Sequence, residues 1–139
     1  MQLSMSTDLA IRILQYLHVN KGLSSGAEIS AAIGTTYPFF MKVVSQLKKH
    51  KLVTPEQGRN GGYRLGKSAE SITIYDIYCI IEGEMAIIHY LSGDQASNYE
   101  AGQCAIQDHF RSLQTSLIQQ MSRQTIAGLA VSPPQLKGA

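Results

Sequence analysis

The sequence predicts a mainly α fold with a small β-hairpin wing: a winged helix-turn-helix followed by a long dimerisation helix near the C-terminus. Three observations predict it. Apolar residues recur at helical spacing through most of the chain. A lysine-bearing amphipathic stretch runs straight into the glycine-rich segment Gly58-Arg59-Asn60-Gly61-Gly62-Tyr63, where Asn60-Gly61 signals a hairpin. Charge is unevenly spread beneath a formal net of +2: residues 1–67 hold nine Lys/Arg against three Asp/Glu, whereas residues 68–139 hold three against seven. One half is suited to a polyanion and the other is not.

Each element has a local cause. Thr7 to Val19 reads as a helix, with Asp8 in its first turn and a stripe of Ala10, Ile13, Leu14 and Leu17. Asn20-Lys21-Gly22 stops it. Ser25-Gly26-Ala27-Glu28 has the form of a capping box opening a short helix whose Ile29, Ala32 and Ile33 point inward, closed by Gly34 as a left-handed cap. A third helix begins around Thr36–Pro38, with core positions Phe40, Val43, Val44 and Leu47. The opposite face carries Pro38, Lys42, Ser45 and Lys49 at spacings of four, three and four. Helix, short helix, tight turn and longer helix make a helix-turn-helix, and the hairpin after Leu52-Val53 supplies the wing.

Thr73 with Asp76 starts a fourth helix in which Ile74, Ile77, Tyr78 and Ile81 share a face, and Gly83 ends it. Residues 92–102 are the most loop-like in the chain. From Cys104 to Met121 a long helix carries Ile106, Phe110, Leu113, Leu117 and Met121 at close to 3.5-residue spacing, a seam able to pack on its own domain or on a second copy. Residues 125–129 add a short helical turn before a Ser132-Pro133-Pro134 tail. The organisation expected is a DNA-binding domain over 1–67 and a helical linker and dimerisation region over 68–139.

Gly61, Gly66, Lys67 and Ser68 match the phosphate-loop pattern of nucleotide-binding enzymes. Such a loop must follow a buried parallel strand and open a helix, so that backbone N–H groups hold the phosphates. Here Gly62-Tyr63-Arg64-Leu65 alternates in polarity like a strand leaving a turn, and Val53–Gln57 is short, polar and interrupted by Pro55. Ser45 and Lys48 also fit a serine-acylase spacing, but on a solvent-facing helix with no third group. No enzyme is expected. With 44% hydrophobic residues the chain has enough for a core, and no run of about 18 apolar residues exists to span a membrane. The N-terminus lacks a basic-then-apolar signal, so a cytoplasmic protein is expected.

Met1-Gln2-Leu3-Ser4, Gly34-Thr35-Thr36, Leu47-Lys48-Lys49-His50-Lys51-Leu52-Val53 and Gly58-Arg59-Asn60-Gly61-Gly62-Tyr63-Arg64-Leu65 together resemble the Rrf2 family of bacterial transcription regulators. Ile72–Ile77 and Ile81-Glu82-Gly83 extend the match. The resemblance covers about residues 1–85 clearly and the rest loosely. It implies a winged-helix homodimer built through a long C-terminal helix, here residues 104–121. It also places Thr35, Thr36, Tyr37 and Pro38 at the major groove. Lys42, Ser45 and Lys49 continue that face, and the lysines there read as phosphate clamps rather than base readers. Members usually carry an arginine just before the first wing glycine, where this chain has Gln57. Arg59 with Asn60 at the hairpin tip then takes over minor-groove insertion.

Several members of that family sense through an iron–sulfur cluster held by three cysteines spaced six apart and a histidine three residues on. Anchored on Cys104, those positions are Ser92, Asn98, Cys104 and Gln107, so three of four ligands are absent. Hydroxyl and amide groups do not replace thiolates on such a cluster. No metal and no cofactor are expected; His89 and His109, or Asp8 of the partner subunit, are the side chains left to complete an irregular site with Cys104. Isolated histidines are more commonly surface or structural residues. Two cysteines in a cytosolic chain are normally reduced; the alternatives are inert thiols at both Cys79 and Cys104, or a redox sensor at Cys104, at a helix start where the dipole favours the thiolate.

The leading function is therefore a homodimeric, sequence-specific transcription regulator, expected to act as a repressor, binding a palindromic operator on double-stranded DNA. Its effector is a small molecule or protein of unknown identity. Two alternatives remain open at the sequence level: a winged-helix protein-interaction module, and a nucleotide-binding enzyme acting through Gly61–Ser68.

Overall fold

Six helices and one two-stranded hairpin make up residues 2–88 and 104–129, the parts of the chain that the computed structural model describes. In order they are α1 (Met5–Val19), α2 (Gly26–Ile33), α3 (Tyr37–Lys49), β1 (Val53–Glu56), β2 (Gly62–Leu65), a 3-10 turn at Ala69–Ser71, α4 (Ile74–Glu82), α5 (Cys104–Arg123) and α6 (Ile126–Leu129). The predicted mainly helical architecture with a hairpin wing is what the chain adopts.

Helix starts follow the caps. α1 opens two residues earlier than the apolar stripe suggests, because Ser4 Oγ accepts a hydrogen bond from Thr7 N–H at 3.2 Å. It stops at Asn20, whose backbone N–H and side-chain amide both donate to Tyr16 O, at 2.8 and 3.0 Å. Thr36 Oγ1 accepts from Phe39 N–H at 3.3 Å, and Pro38 sits in the first turn of α3, where its missing N–H costs nothing. The reciprocal capping box is made at α4: Thr73 Oγ1 accepts from Asp76 N–H and Asp76 Oδ2 from Thr73 N–H, both at 3.0 Å. At α2 the Ser25 half of the predicted box is present, accepting from Glu28 N–H at 3.1 Å, and Gly34 closes the helix at φ 81°, ψ 36°.

One inward position is corrected. Ala32 is exposed, whereas Gly26, Ile29 and Ser30 are buried and Ile33 half-buried. At 100° per residue, Gly26, Ser30 and Ile33 all lie to one side of Ile29 and Ala32 to the other. The rotation brings Gly26 under the aromatic rings of α3, where an added Cβ would lie 3.0 Å from the Phe40 ring and 3.1 Å from that of Tyr37.

The wing turn also differs from the sequence signal. β1 and β2 pair antiparallel from Val53↔Leu65 to Glu56↔Gly62, leaving five loop residues rather than a two-residue Asn60-Gly61 turn. The turn spans Gly58 to Gly61, closed by Gly61 N–H to Gly58 O at 3.0 Å, with Gly58 supplying the positive φ of 122°. Beyond β2 lies a third partner: Ser24 and Tyr63 exchange backbone hydrogen bonds at 3.1 and 2.8 Å. Tyr63 thus directs both backbone groups away from Pro55, its cross-strand neighbour, which has no N–H to give.

A single core unites these pieces. Ile13, Leu14 and Leu17 of α1 meet Ile29, Phe40, Val43, Val44, Leu47, Leu52 and Val53, and the same cluster continues into Ala69, Ile72, Ile77 and Ile126. The predicted α3 core positions are all buried. α6 is tied back by Ile126 N–H to Ile72 O and by Ile74 N–H to Gln124 O, both at 2.9 Å. At the other end of α4, Ser4 N–H donates to Glu82 Oε1 at 2.6 Å. Burial would raise the Glu82 pKa, but hydrogen bonds from Ser4 and Thr7 outweigh it and lower the value. No helix among the described residues is long and apolar enough to cross a membrane.

Candidate nucleic-acid interface

The amphipathicity of α3 sorts its residues: the apolar face is consumed by the core, and everything else is delivered to solvent. Thr36, Tyr37, Pro38, Lys42, Ser45 and Lys49 are exposed, and Thr35 is half-buried in the turn that leads in. Arg59 and Asn60 are exposed at the hairpin tip. These residues divide between two protruding elements, one helix face and one loop, as a groove reader with a flanking wing requires.

What joins the two elements is aromatic. The Phe40 ring, fully buried, meets Tyr63 of β2 edge-on at a centroid distance of 5.8 Å and 76°, and Tyr37 at 6.2 Å and 30°. The Tyr63 hydroxyl donates to Met41 Sδ at 3.7 Å. Burial, then the nearby Tyr37, raises the Tyr63 pKa, so the phenol remains a donor through the physiological range. Gly62 permits this docking, since a side chain there would strike the Ser24 carbonyl.

Met41 is the residue that sequence reasoning missed. It is 37% exposed, one turn after Tyr37, itself 51% exposed, so two large apolar side chains crown the solvent face beside Lys42. The available signal is the i, i+4 spacing of Tyr37 and Met41 off the core stripe. Arg64 on β2 pairs with Glu56 across the hairpin, whereas Arg59 has no ion pair among the described residues. An exposed pair contributes only about 0–1 kcal/mol, but it neutralises Arg64 and leaves Arg59 as the wing's open cation.

α5 presents a second surface. Ile106 and Leu113 are 56% and 47% exposed, Phe110, Leu117 and Met121 are half-buried, and Gln107 is buried. The helix rests against α4, and Gln114 Oε1 accepts from Ile87 N–H at 3.0 Å. Its outer apolar row is left uncovered by the described residues. α5 begins at Cys104, while Cys79 is half-buried on α4. His89, Ser92 and Asn98 lie outside the described residues. The stretch Gly61–Ser68 forms a strand of an antiparallel hairpin and then a loop into the three-residue 3-10 turn, without the helix that a phosphate loop must open.

Comparison with known proteins follows the same lines. A family model described as Rrf2, an iron-dependent transcriptional regulator, matches residues 3–132. Protein aau3 of Rhizobium meliloti (strain 1021) is 28% identical over 137 residues, covering 98% of this chain and 89% of that protein. Among solved structures, CymR, the global cysteine regulator of B. subtilis, superposes with a TM-score of 0.77 at 21% identity, over 94% of this chain and 96% of that one. IscR of T. potens gives 0.73 at 19% identity, over 93% and 85%.

Proposed function

Because this chain belongs to the Rrf2 family of transcriptional regulators, we propose that it binds a palindromic operator as a homodimer, with residues 1–67 contacting DNA and residues 68–139 joining the two copies. The observation that carries this reading is the pairing of an exposed α3 face with a rigidly docked wing. Tyr37 and Pro38 enter the major groove first, and the apolar surfaces of Tyr37 and Met41 suit thymine methyl groups. Lys42 and Lys49 hold phosphates, Ser45 lies between them, and Arg59 with Asn60 reaches the adjoining minor groove. Of the row Ile106, Phe110, Leu113, Leu117 and Met121, exposed Ile106 and Leu113 with half-buried Phe110, Leu117 and Met121 support pairing of α5 with a second copy, whose two-fold axis would set the operator's symmetry.

Substitutions separate these roles. Arg59→Ala is expected to weaken operator binding by roughly 1–3 kcal/mol and to relax the preference for a narrow minor groove. Lys42→Ala or Lys49→Ala is expected to weaken operator and random DNA alike and to flatten the salt slope by about one unit. Gel-shift titrations over a salt series measure both. Equal affinity of the unmodified protein for operator and random DNA would refute the regulator and favour an interaction module.

The donor set does not fit an iron–sulfur cluster. Cys104 is accompanied by Ser92, Asn98 and Gln107 at the spacings that such a cluster uses, and an amide nitrogen is no ligand. Gln107 is buried and its Nε2 is without a hydrogen-bond partner among the described residues, which also bring no three His, Cys, Asp or Glu together as a metal ion would need. Protein purified without oxygen is expected to be colourless, lacking thiolate-to-iron charge-transfer bands by absorption spectroscopy. A brown protein with stoichiometric iron would overturn that assignment. Any response to peroxide is assigned to Cys104, at the start of α5, and Cys104→Ser should abolish it while Cys79→Ser leaves it intact.

A further inference from the structure

A cleft of about 580 Å³ opens on the side of the DNA-binding lobe away from the hairpin tip, between the end of α1, the end of β2 and the 3-10 turn that leads to α4. Its accessible apolar surface comes from half-buried Leu65, backed by the core residues Leu17 and Ala69. Its rim is cationic. Lys21, Arg64 and Lys67 line it together with His18, against a single lining carboxylate, Glu70. Arg64 is already engaged by Glu56, but neither Lys21 nor Lys67 has a carboxylate within ion-pair distance among the described residues. The loop that carries Lys67 is fixed, because Gly66 N–H donates to Leu52 O at 2.8 Å and a side chain at 66 would strike the Lys51 carbonyl.

We propose that this cleft binds a small organic anion: a small apolar body carrying a carboxylate or phosphate group, seated against Leu65 with its charge between Lys21 and Lys67. The volume falls within the range of small-molecule sites, and Lys21 and Lys67 both belong to the lining. DNA phosphate offers the same charge, but shape argues for the small molecule. Duplex backbone would be met by protruding side chains, such as those proposed on α3 and the hairpin tip, whereas these residues line a shallow open cleft. It also lies at the far end of β2 from the tip, roughly 13 Å along a four-residue strand. Resting on the regulator reading above, the site deepens it: its walls come from α1, the wing strand and the link to the dimerisation half, so a ligand there touches the parts whose relative placement an effector must influence. The lysine and serine of the phosphate-loop match, Lys67 and Ser68, thus acquire a role outside a nucleotide-binding loop.

The test uses the full chain and 8-anilinonaphthalene-1-sulfonate, an apolar fluorophore bearing one anionic group, titrated without DNA and displaced by benzoate or inorganic phosphate. One probe per chain is expected, weakened roughly tenfold or more by Lys21→Gln with Lys67→Gln, because charge-assisted contacts are lost. Lys48→Gln, which removes one positive charge from α3 outside the cleft, should leave the titration unchanged, whereas Lys21→Gln alone, the same loss of one charge, should weaken it. Failure of the unmodified chain to bind stoichiometrically, or equal binding by the double variant, overturns the proposal. So does a double variant that keeps the probe but loses operator affinity with a shallower salt slope, which would make the cleft a DNA-backbone surface. Probe binding that depends on both lysines in a protein that binds no operator would sustain the site while removing the regulator reading.

Discussion

Leu113→Asp is expected to turn the protein into a monomer and to reduce operator affinity to the level of random DNA. Leu113 is 47% exposed in the single chain, so a carboxylate there meets water and costs the isolated fold little. In a paired α5 the same carboxylate would be buried opposite its symmetry copy, without a partner, at a cost of several kcal/mol per interface. The choice of position matters. Leu117 is half-buried within its own chain, and a charge there would confound folding with assembly. Light scattering reads the oligomeric state and circular dichroism the fold. An unmodified chain that is monomeric at micromolar concentration, or a Leu113→Asp variant that remains dimeric, would remove α5 as the interface.

The second large effect falls on Phe40. Phe40→Ala empties a fully buried site walled by Tyr37, Tyr63 and the first turn of α2, and should destabilise the protein by about 3–5 kcal/mol in urea unfolding. Against a typical stability of about 5–15 kcal/mol that loss is large. Because Phe40 is also the contact between wing and helix, operator affinity should fall further than the change in folded fraction explains. Combining it with Tyr63→Ala should show a coupling of roughly 0.5–1.5 kcal/mol, the range for an edge-to-face pair. Strict additivity of the two substitutions would mean that the rings merely share a neighbourhood.

Most of this architecture is legible in the residues because it is local. Phe40, Val43, Val44 and Leu47 announce α3 by spacing alone, and Ser25, Gly34, Thr36 and Thr73 mark helix ends with side chains that satisfy specific backbone groups. What escapes is non-local or rotational. The Ser24–Tyr63 backbone pairing joins residues 39 apart and leaves no periodic mark. Asn60-Gly61 points to a turn in the right place, but the five-residue loop and the Gly58 conformation are set by where β1 and β2 meet. Ala32 faces outward because a glycine three residues before Ile29 lets the helix roll toward the rings, something visible only once α2 and α3 are side by side. The candidate DNA-facing residues were nameable as the hydrophilic side of α3 and the wing tip. Met41 was hidden because methionine on a helix ordinarily reads as core.

The clamp of β2 onto Ser24 on one side and onto the α3 rings on the other carries a thermodynamic corollary. If α3 and the hairpin tip read DNA as proposed, two prongs joined by these contacts would behave as a caliper of nearly fixed gap. The misfit between that gap and an unstressed double helix must then be absorbed by the nucleic acid, at a cost on the order of 1–6 kcal/mol for a smooth bend over a 20–30 base-pair site. Pliant pyrimidine–purine steps lower that cost and stiff adenine tracts raise it where bending is required. Preferred sites for this chain would accordingly be distinguished as much by the elasticity of base pairs it never touches as by the letters under Tyr37 and Met41.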